Sequence, residues 1–424
     1  MKPITTTALA FVMALAATPA AAQYGSSAPQ QPPPELPPRA NQQEAAQPQA
    51  QPKIKPSAKA LKAIIELQDA VNKNDVANVP AKVAAAQSVA TTKEDRYLIG
   101  QLEIKAGLAA KDNTLLVAGV DTVGSSGYVD GAKASELYLS LGSTLYNAKQ
   151  YAQAQAAFQK AITANPANSN AIAMLGEAYL TQGQKAEAAA AFQRAVQASV
   201  AAGQKPDEAL LRRAVAIAYE TQSPQAVDLA RQWVAAYPSA DSWHNAIAIY
   251  RNLNSPDVEG TLDLLRLMQA AGALTSAGDY GLFSRAAAEQ LNYNEAQAVV
   301  NAGIAAKLVD PSAPEFRDVV VGLKAKNIAT AADLDVATKS ARDGMALLRI
   351  GDRYYGMGNY AKAAELYRMA MAKPGVDTAV ANLHLGMALA RAGDKPAATA
   401  AFNAVTGPRA GIAKFWLAYV NQKA

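Results

Sequence analysis

Apolar residues recur three and four positions apart from about Ser57 to the end of the 424-residue chain. That interval places them on one face of a helix. β-branched runs with strict alternation are scarce, so strands are not expected. The helical stretches alternate with Gly, Pro, Asn and Asp turn signals, which predicts successive helical hairpins.

The pattern repeats itself. Tyr138, Leu141, Gly142, Leu145, Tyr151, Ala154, Phe158, Ala161 and Pro166 form one set. A shift of 34 residues gives Ile172, Leu175, Gly176, Tyr179, Lys185, Ala188, Phe192, Ala195 and Val200, with no gap. Near the C-terminus Leu347, Ile350, Gly351, Tyr354, Tyr360, Ala363, Tyr367 and Ala370 form a third copy, closed by Pro374. Leu385, Gly386, Leu389, Gly393, Ala398 and Phe402 form a fourth, with Asn382 in the usual aromatic slot. Each position has a mechanical task. Leu and Tyr of the first helix share a face, and the small Gly lets the second helix cross closely. The late Phe or Tyr fills the gap to the next hairpin, and Pro ends the second helix.

These residues and this period resemble the tetratricopeptide repeat family, of an exported bacterial type. The resemblance implies an all-α fold, a right-handed superhelical solenoid of stacked helical hairpins, preceded by a disordered N-terminal segment. It also implies that first helices line a concave groove in which a protein or peptide partner lies. The clear repeats occupy 131–204 and 344–407. Residues 57–130 read as degenerate helical hairpins (about 58–88 and 92–124), and 205–343 as degenerate repeat-like hairpins. Within the latter, 313–341 is an irregular pair. Residues 408–424 read as a helix capping the last hairpin, since solenoid ends need cover.

The N-terminus reads as an address. Lys2 precedes an apolar stretch from Ala8 to Ala17, and Ala20-Ala21-Ala22 fits a leader cleavage site. The segment 1–22 is therefore expected to be a signal peptide, with a mature start at Gln23. The apolar stretch is shorter than the roughly 20 residues that span a bilayer. No later segment is long and apolar enough, so no integral membrane segment is expected after cleavage. Residues 23–56 are Pro-, Gln- and Ala-rich and read as a disordered linker. Export to the periplasm of a Gram-negative bacterium is the resulting expectation.

Composition narrows the functions. The formal charge is +5 and is spread along the chain without long runs of one sign. Nucleic-acid binders concentrate their basic residues, so no nucleic-acid partner is expected. Cysteine is absent, which excludes disulfides, thiolate metal sites and cysteine nucleophiles. The two histidines, His244 and His384, stand 140 residues apart without a metal or catalytic spacing. They read as partly exposed helix residues. Gly351-Asp-Arg-Tyr-Tyr355 is chemically rich, but its Gly and first Tyr are already used by the repeat. Trp243, Trp416 and the tyrosine series read as core. No enzyme, cofactor or metal site is expected.

A surface remains. By helical phase, the faces turned away from the Leu-Gly-Tyr packing carry Glu136, Ser143, Tyr146 and Asn147, then Asn170, Glu177 and Thr181. Later copies carry Arg349, Asp352 and Tyr355, then His384, Met387 and Arg391. These residues are the candidate partner-binding face. Leu139 with Ser143, and Ala173 with Glu177, stand where relatives that clamp a C-terminal carboxylate use Lys and Asn, so that clamp is not expected. The leading expectation is a cell-envelope scaffold for a protein or peptide. The alternative is an accessory of envelope or polysaccharide export that binds glycan or export machinery, with Tyr146 and Tyr355 as stacking residues.

Overall fold

The computed structural model describes residues 54–326 and 328–422. The expected signal peptide and nearly all of the expected Pro/Gln-rich linker lie outside the described residues. Among the described residues the chain is all-α, with 21 α-helices, one 3-10 turn and no strand. No described helix is long and apolar enough to cross a membrane. Two compact units divide after Ala202.

The first unit holds four hairpins: α1 (Leu61–Asn72) with α2 (Val79–Val89), α3 (Lys93–Ala110) with α4 (Asn113–Ser125), α5 (Gly131–Asn147) with α6 (Tyr151–Ala164), and α7 (Ser169–Thr181) with α8 (Lys185–Ala201). Its first hairpin is tied down by one carboxylate. Asp95, near the start of α3, accepts from the Ser57 N–H at 2.7 Å and the Ser57 hydroxyl at 2.8 Å. It also accepts from the Thr91 and Thr92 N–H groups, the latter completing a capping box. Burial alone would raise its pKa, but these donors outweigh it and hold the carboxyl well below the usual range.

The second unit begins with α9 (Glu208–Glu220) and α10 (Gln225–Ala236), then α11 (Ala240–Asn254) and α12 (Val258–Ala270), then α13 (Ala277–Glu289) and α14 (Tyr293–Ala305). After them come α15 (Pro314–Lys324) and α16 (Ala331–Ser340), then α17 (Gly344–Gly356) with α18 (Tyr360–Met371), α19 (Thr378–Ala392) with α20 (Lys395–Asn403), and α21 (Ala410–Val420). The pair α15 and α16 is loosely attached. Val321 and Val336 stay 60% and 67% exposed, while Phe316, Leu323 and Leu334 anchor the pair.

The repeat signature is visible as a small-to-large fit inside each clear hairpin. A Cβ on Gly142 would meet the Phe158 ring at 2.5 Å, and one on Gly351 the Tyr367 ring at 2.6 Å. Gly386 stands against Phe402 in the same way, and Gly176 against Phe192 with more room. The hairpin turns pass through left-handed backbone at Gly183, Gly358 and Gly393, where glycine carries no steric cost. Lys149 takes that place in the α5–α6 turn.

The last helix does more than cover the last hairpin. Besides α20, α21 packs against α19, α12 and α10. Phe415 meets Trp243 and Tyr250 at ring distances of 6.5 and 5.6 Å, and Trp416 stacks on Phe402 at 5.9 Å. The Trp416 indole N–H donates to the Asp263 carbonyl at 3.3 Å. Arg409, just ahead of α21, grips both oxygens of Asp257 at 2.7 and 3.0 Å and Glu259 at 2.8 Å. Gly260 leaves room for that guanidinium, because a Cβ there would collide with it. The second unit therefore closes on itself across about 150 residues of sequence.

The glycine fit is open to a paired test. Gly→Ala in a helix gains about 1 kcal/mol in propensity, whereas overpacking a core costs about 1–3 kcal/mol. At Gly142 the added methyl meets a fully buried ring, so Gly142→Ala should lower unfolding free energy in urea by roughly 1–2 kcal/mol. At Gly176 the contact would be 3.1 Å, and Gly176→Ala should be neutral within about 0.5 kcal/mol.

Candidate partner-binding faces and a buried ionic hub

In the first unit, one side of α5 and α7 carries a polar strip. The Tyr146 hydroxyl and the Thr181 hydroxyl lie 2.7 Å apart, and the Thr181 hydroxyl also lies 3.0 Å from the Glu177 carbonyl. The Tyr146 ring sits edge-on to Tyr151 at 5.3 Å, which fixes its plane. Asn168 caps α7 and donates its side-chain amide to Ser135 and to the Glu136 carboxylate, at 2.9 and 3.1 Å. The Ser143 hydroxyl is turned onto its own helix, donating to the Leu139 carbonyl. Glu136, Asn147, Asn170 and Thr181 are exposed; Ser143, Tyr146 and Glu177 are half-buried.

The second unit is built differently, around a charge in its interior. Arg266 of α12 is 1% exposed. Its Nε and Nη2 donate to both oxygens of Glu295 on α14, at 2.8 and 2.7 Å. Its Nη1 donates to Asp263, one turn earlier on α12, at 3.2 Å, and lies 4.0 Å from Asp352 of α17. The guanidinium also lies over the Tyr355 ring at 4.9 Å. His384 of α19 joins the same carboxylates, with Nε2 3.1 Å from Asp263 and Nδ1 2.9 Å from Asp352. The Tyr367 hydroxyl donates to Asp352 at 2.8 Å. Asn292, which precedes α14, donates to Glu295 and to the Asp352 carbonyl. Five helices, α12, α14, α17, α18 and α19, thus meet on one cluster.

Three carboxylates face one guanidinium and one imidazole in this cluster. Burial opposes a charged imidazole, but Asp352 and Asp263 outweigh it and push the His384 pKa up to about 10. Burial likewise opposes ionised Asp352, yet His384, Arg266 and the Tyr367 hydroxyl hold its pKa below the usual value. Arg266 stays charged throughout the accessible pH range.

The model for the tetratricopeptide repeat matches residues 139–202 and 348–411. In these two segments the chain carries tetratricopeptide repeats. Among solved structures, YrrB, a repeat protein with an unusual peptide-binding site, is 14% identical at TM-score 0.30, covering 45% of this chain and 92% of that one. PilF of Pseudomonas aeruginosa is 12% identical at TM-score 0.24, covering 62% and 97%. A repeat protein of Parabacteroides merdae is 10% identical at TM-score 0.26, covering 78% and 100%. Likenesses of this level carry no functional conclusion. No curated protein matches.

The thirteen residues read as one lining in this repeat protein divide three ways. Tyr146 and Thr181 are brought together on an accessible strip, and Glu136 joins its edge through Asn168. Asp352, Tyr355 and His384 are brought together too, but in the interior: Tyr355 is 4% and His384 1% exposed. His384 is therefore not the partly exposed residue its spacing suggested, and Gly351-Asp-Arg-Tyr-Tyr355 does more than serve the repeat. Met387 is fully buried as well. Arg391 is half-buried, stacked over Tyr360 and donating to its hydroxyl at 2.8 Å, while Arg349 stays exposed. Asp263, Arg266 and Glu295 went unnoticed in sequence. Their only local signal is Asp263 and Arg266 set one turn apart within the apolar run Leu262–Met268.

Removing one partner from a buried ion pair costs about 3–5 kcal/mol, so Arg266→Met should destabilise the second unit by that order in urea. The histidine adds a pH dependence of defined sign. Its folded pKa lies above its unfolded value, so its stabilisation is complete below about pH 6.5 and is lost as pH rises through about 10. Unfolding free energy should fall between pH 7 and 10, and His384→Gln should flatten that slope.

Proposed function

We propose that this repeat protein is a non-catalytic scaffold of the cell envelope. It binds a protein or peptide partner through the α5–α7 side of its first unit and acts after export. The observation that carries the reading is the contrast between the two clear repeat pairs. Residues 139–202 and 348–411 share one repeat pattern. In the second pair the candidate lining residues Asp352, Tyr355 and His384 are consumed by Arg266 and Asp263. In the first pair Glu136, Tyr146, Asn147, Asn170 and Thr181 remain reachable. A segment lying there meets carboxylate, hydroxyl and amide groups, which suits a polypeptide offering backbone and amide donors.

The export part rests on the leader pattern of residues 1–22, and the scaffold part on the repeats. The glycan alternative needed two stacking tyrosines. Tyr355 offers no face to a sugar, which leaves Tyr146 alone and already hydrogen-bonded to Thr181.

Site-specific photo-cross-linkers at Asn147, Asn170 and Thr181 should yield the same discrete adduct in cells, and a cross-linker at buried Met387 should not. Tyr146→Ala with Thr181→Arg should reduce that adduct at least tenfold while leaving thermal unfolding unchanged. Adducts that differ at every position, or that survive the double substitution, would remove this face as the binding site. A mature N-terminus at Gln23 in an osmotic-shock fraction checks the export step, and an intact Met1 there would refute it.

A further inference from the structure

Where α21 returns onto the second unit, an open cleft of about 460 Å³ remains between the start of α10, the end of α11 and the first turn of α21. That volume falls within the few hundred to about 1,000 Å³ typical of small-ligand sites. Its polar groups are donors with unused capacity. Tyr250 is 6% exposed, and its hydroxyl end reaches the cleft at Gly411, where an added Cβ would collide with the oxygen. A tyrosine buried this far ordinarily finds a partner for its O–H. Among the described residues this hydroxyl makes no hydrogen bond. Burial raises its pKa while Arg409 and Arg231 oppose the rise, so two guanidinium groups act on one unpartnered oxygen.

The cations of the cleft are also incompletely used. Arg231 of α10 gives Nη2 to Asp228, and its Nε and Nη1 have no acceptor among the described residues. Its side chain keeps 22% of its surface exposed. Lys414 of α21 is exposed and pairs with no carboxylate among the described residues. Asp228 is the one carboxylate in the lining, so a single positive charge is left over. The first turn of α10 runs along the cleft without a side-chain cap, and its end adds partial positive charge. The apolar lining is open to a bound molecule: Val227 and Leu253 are half-buried, and Pro224 and Pro408 are exposed.

We infer that this cleft binds a carboxylate carried on a short aliphatic group. The carboxylate accepts from the Tyr250 hydroxyl and lies between Arg231 and Lys414, and the aliphatic group rests on Val227, Leu253 and Pro408. Carboxylate oxygens are acceptors only, which matches a lining whose free groups are donors. A phosphate dianion would exceed the single charge left over, and a cation would meet two like charges. Two sources present this chemistry: a free short-chain acid, and the C-terminal residue of a polypeptide.

The test titrates the full chain with three probes by isothermal calorimetry and methyl NMR. The probes are isovalerate, Nα-acetyl-leucine, and isovaleramide, the uncharged isostere of the first. The two acids should bind at least tenfold more tightly than the amide, shift the methyl resonances of Val227 and Leu253, and weaken as salt rises. A tighter isovalerate assigns the cleft to a free acid, and a tighter acetyl-leucine to a polypeptide end. Tyr250→Phe keeps the ring and removes the donor, and should weaken binding about tenfold. Lys414→Glu reverses an exposed charge, should leave thermal unfolding unchanged and should abolish binding. Equal binding of isovaleramide, undiminished binding to Lys414→Glu, or no binding of either acid at millimolar concentration each overturns the proposal. The α5–α7 face lies in the other unit and is read separately by cross-linking, so either result stands without the other.

Discussion

A guanidinium taken wholly out of water has to be matched at once, on every donor, by groups that come in with it. Arg266 sets that requirement for the second unit. Its own helix supplies only Asp263; Glu295 and Asp352 must arrive from α14 and α17, and His384 then enters between Asp263 and Asp352. The stacking of hairpins that the repeat pattern favours is thereby drawn inward onto α12. Side chains that would otherwise look out from α17 and α19 turn to meet it. An unmatched charge at 1% exposure would cost several kcal/mol, more than any single hydrophobic contact in a hairpin contributes.

The two clear repeat pairs show that one packing signature is compatible with two uses of the helix face opposite to it. Gly142 with Phe158 and Gly351 with Tyr367 make the same fit. What differs is the neighbour. Among the described residues, the helices packed beside α5 and α7 bury no charged side chain, and Tyr146 and Thr181 satisfy one another at the surface. Beside α17 and α19 lies α12, and the Tyr367 that fills the glycine gap also donates to Asp352. The residue that serves the repeat and the residue that serves the hub are in that case the same one.

This divides what the sequence discloses from what it hides. The hairpins were legible because their determinants are local: Leu, Gly and Tyr lie within a turn or two of each other and recur at 34 residues, as in 138–166 and 172–200. The accessible strip on α5 and α7 was legible by helical phase for the same reason. The hub was not. Arg266 and Glu295 are 29 residues apart, and Asp257 and Arg409 are 152 apart, with no repeat relation between them. Phase placed Asp352, Tyr355 and His384 correctly on one side of their helices, but phase does not say whether that side faces solvent or another helix. That depends on a third element, α12, and on the return of α21.

The return of α21 also changes how the second unit gains and loses structure. An open repeat array behaves as a chain of neighbours, so it can begin folding anywhere and can fray from its ends. Here α21 and the Arg409 ahead of it are bonded to the middle of the unit, at the Asp263 carbonyl and at Asp257 and Glu259. Such long-range contacts slow the search for the native state, because a long loop must close before they form. During synthesis Arg266 waits for Glu295 and Asp352, and Asp257 and Glu259 wait longer still, for Arg409. By packing back onto α10 and α12, the eleven-residue α21 couples repeats that alone would be modular.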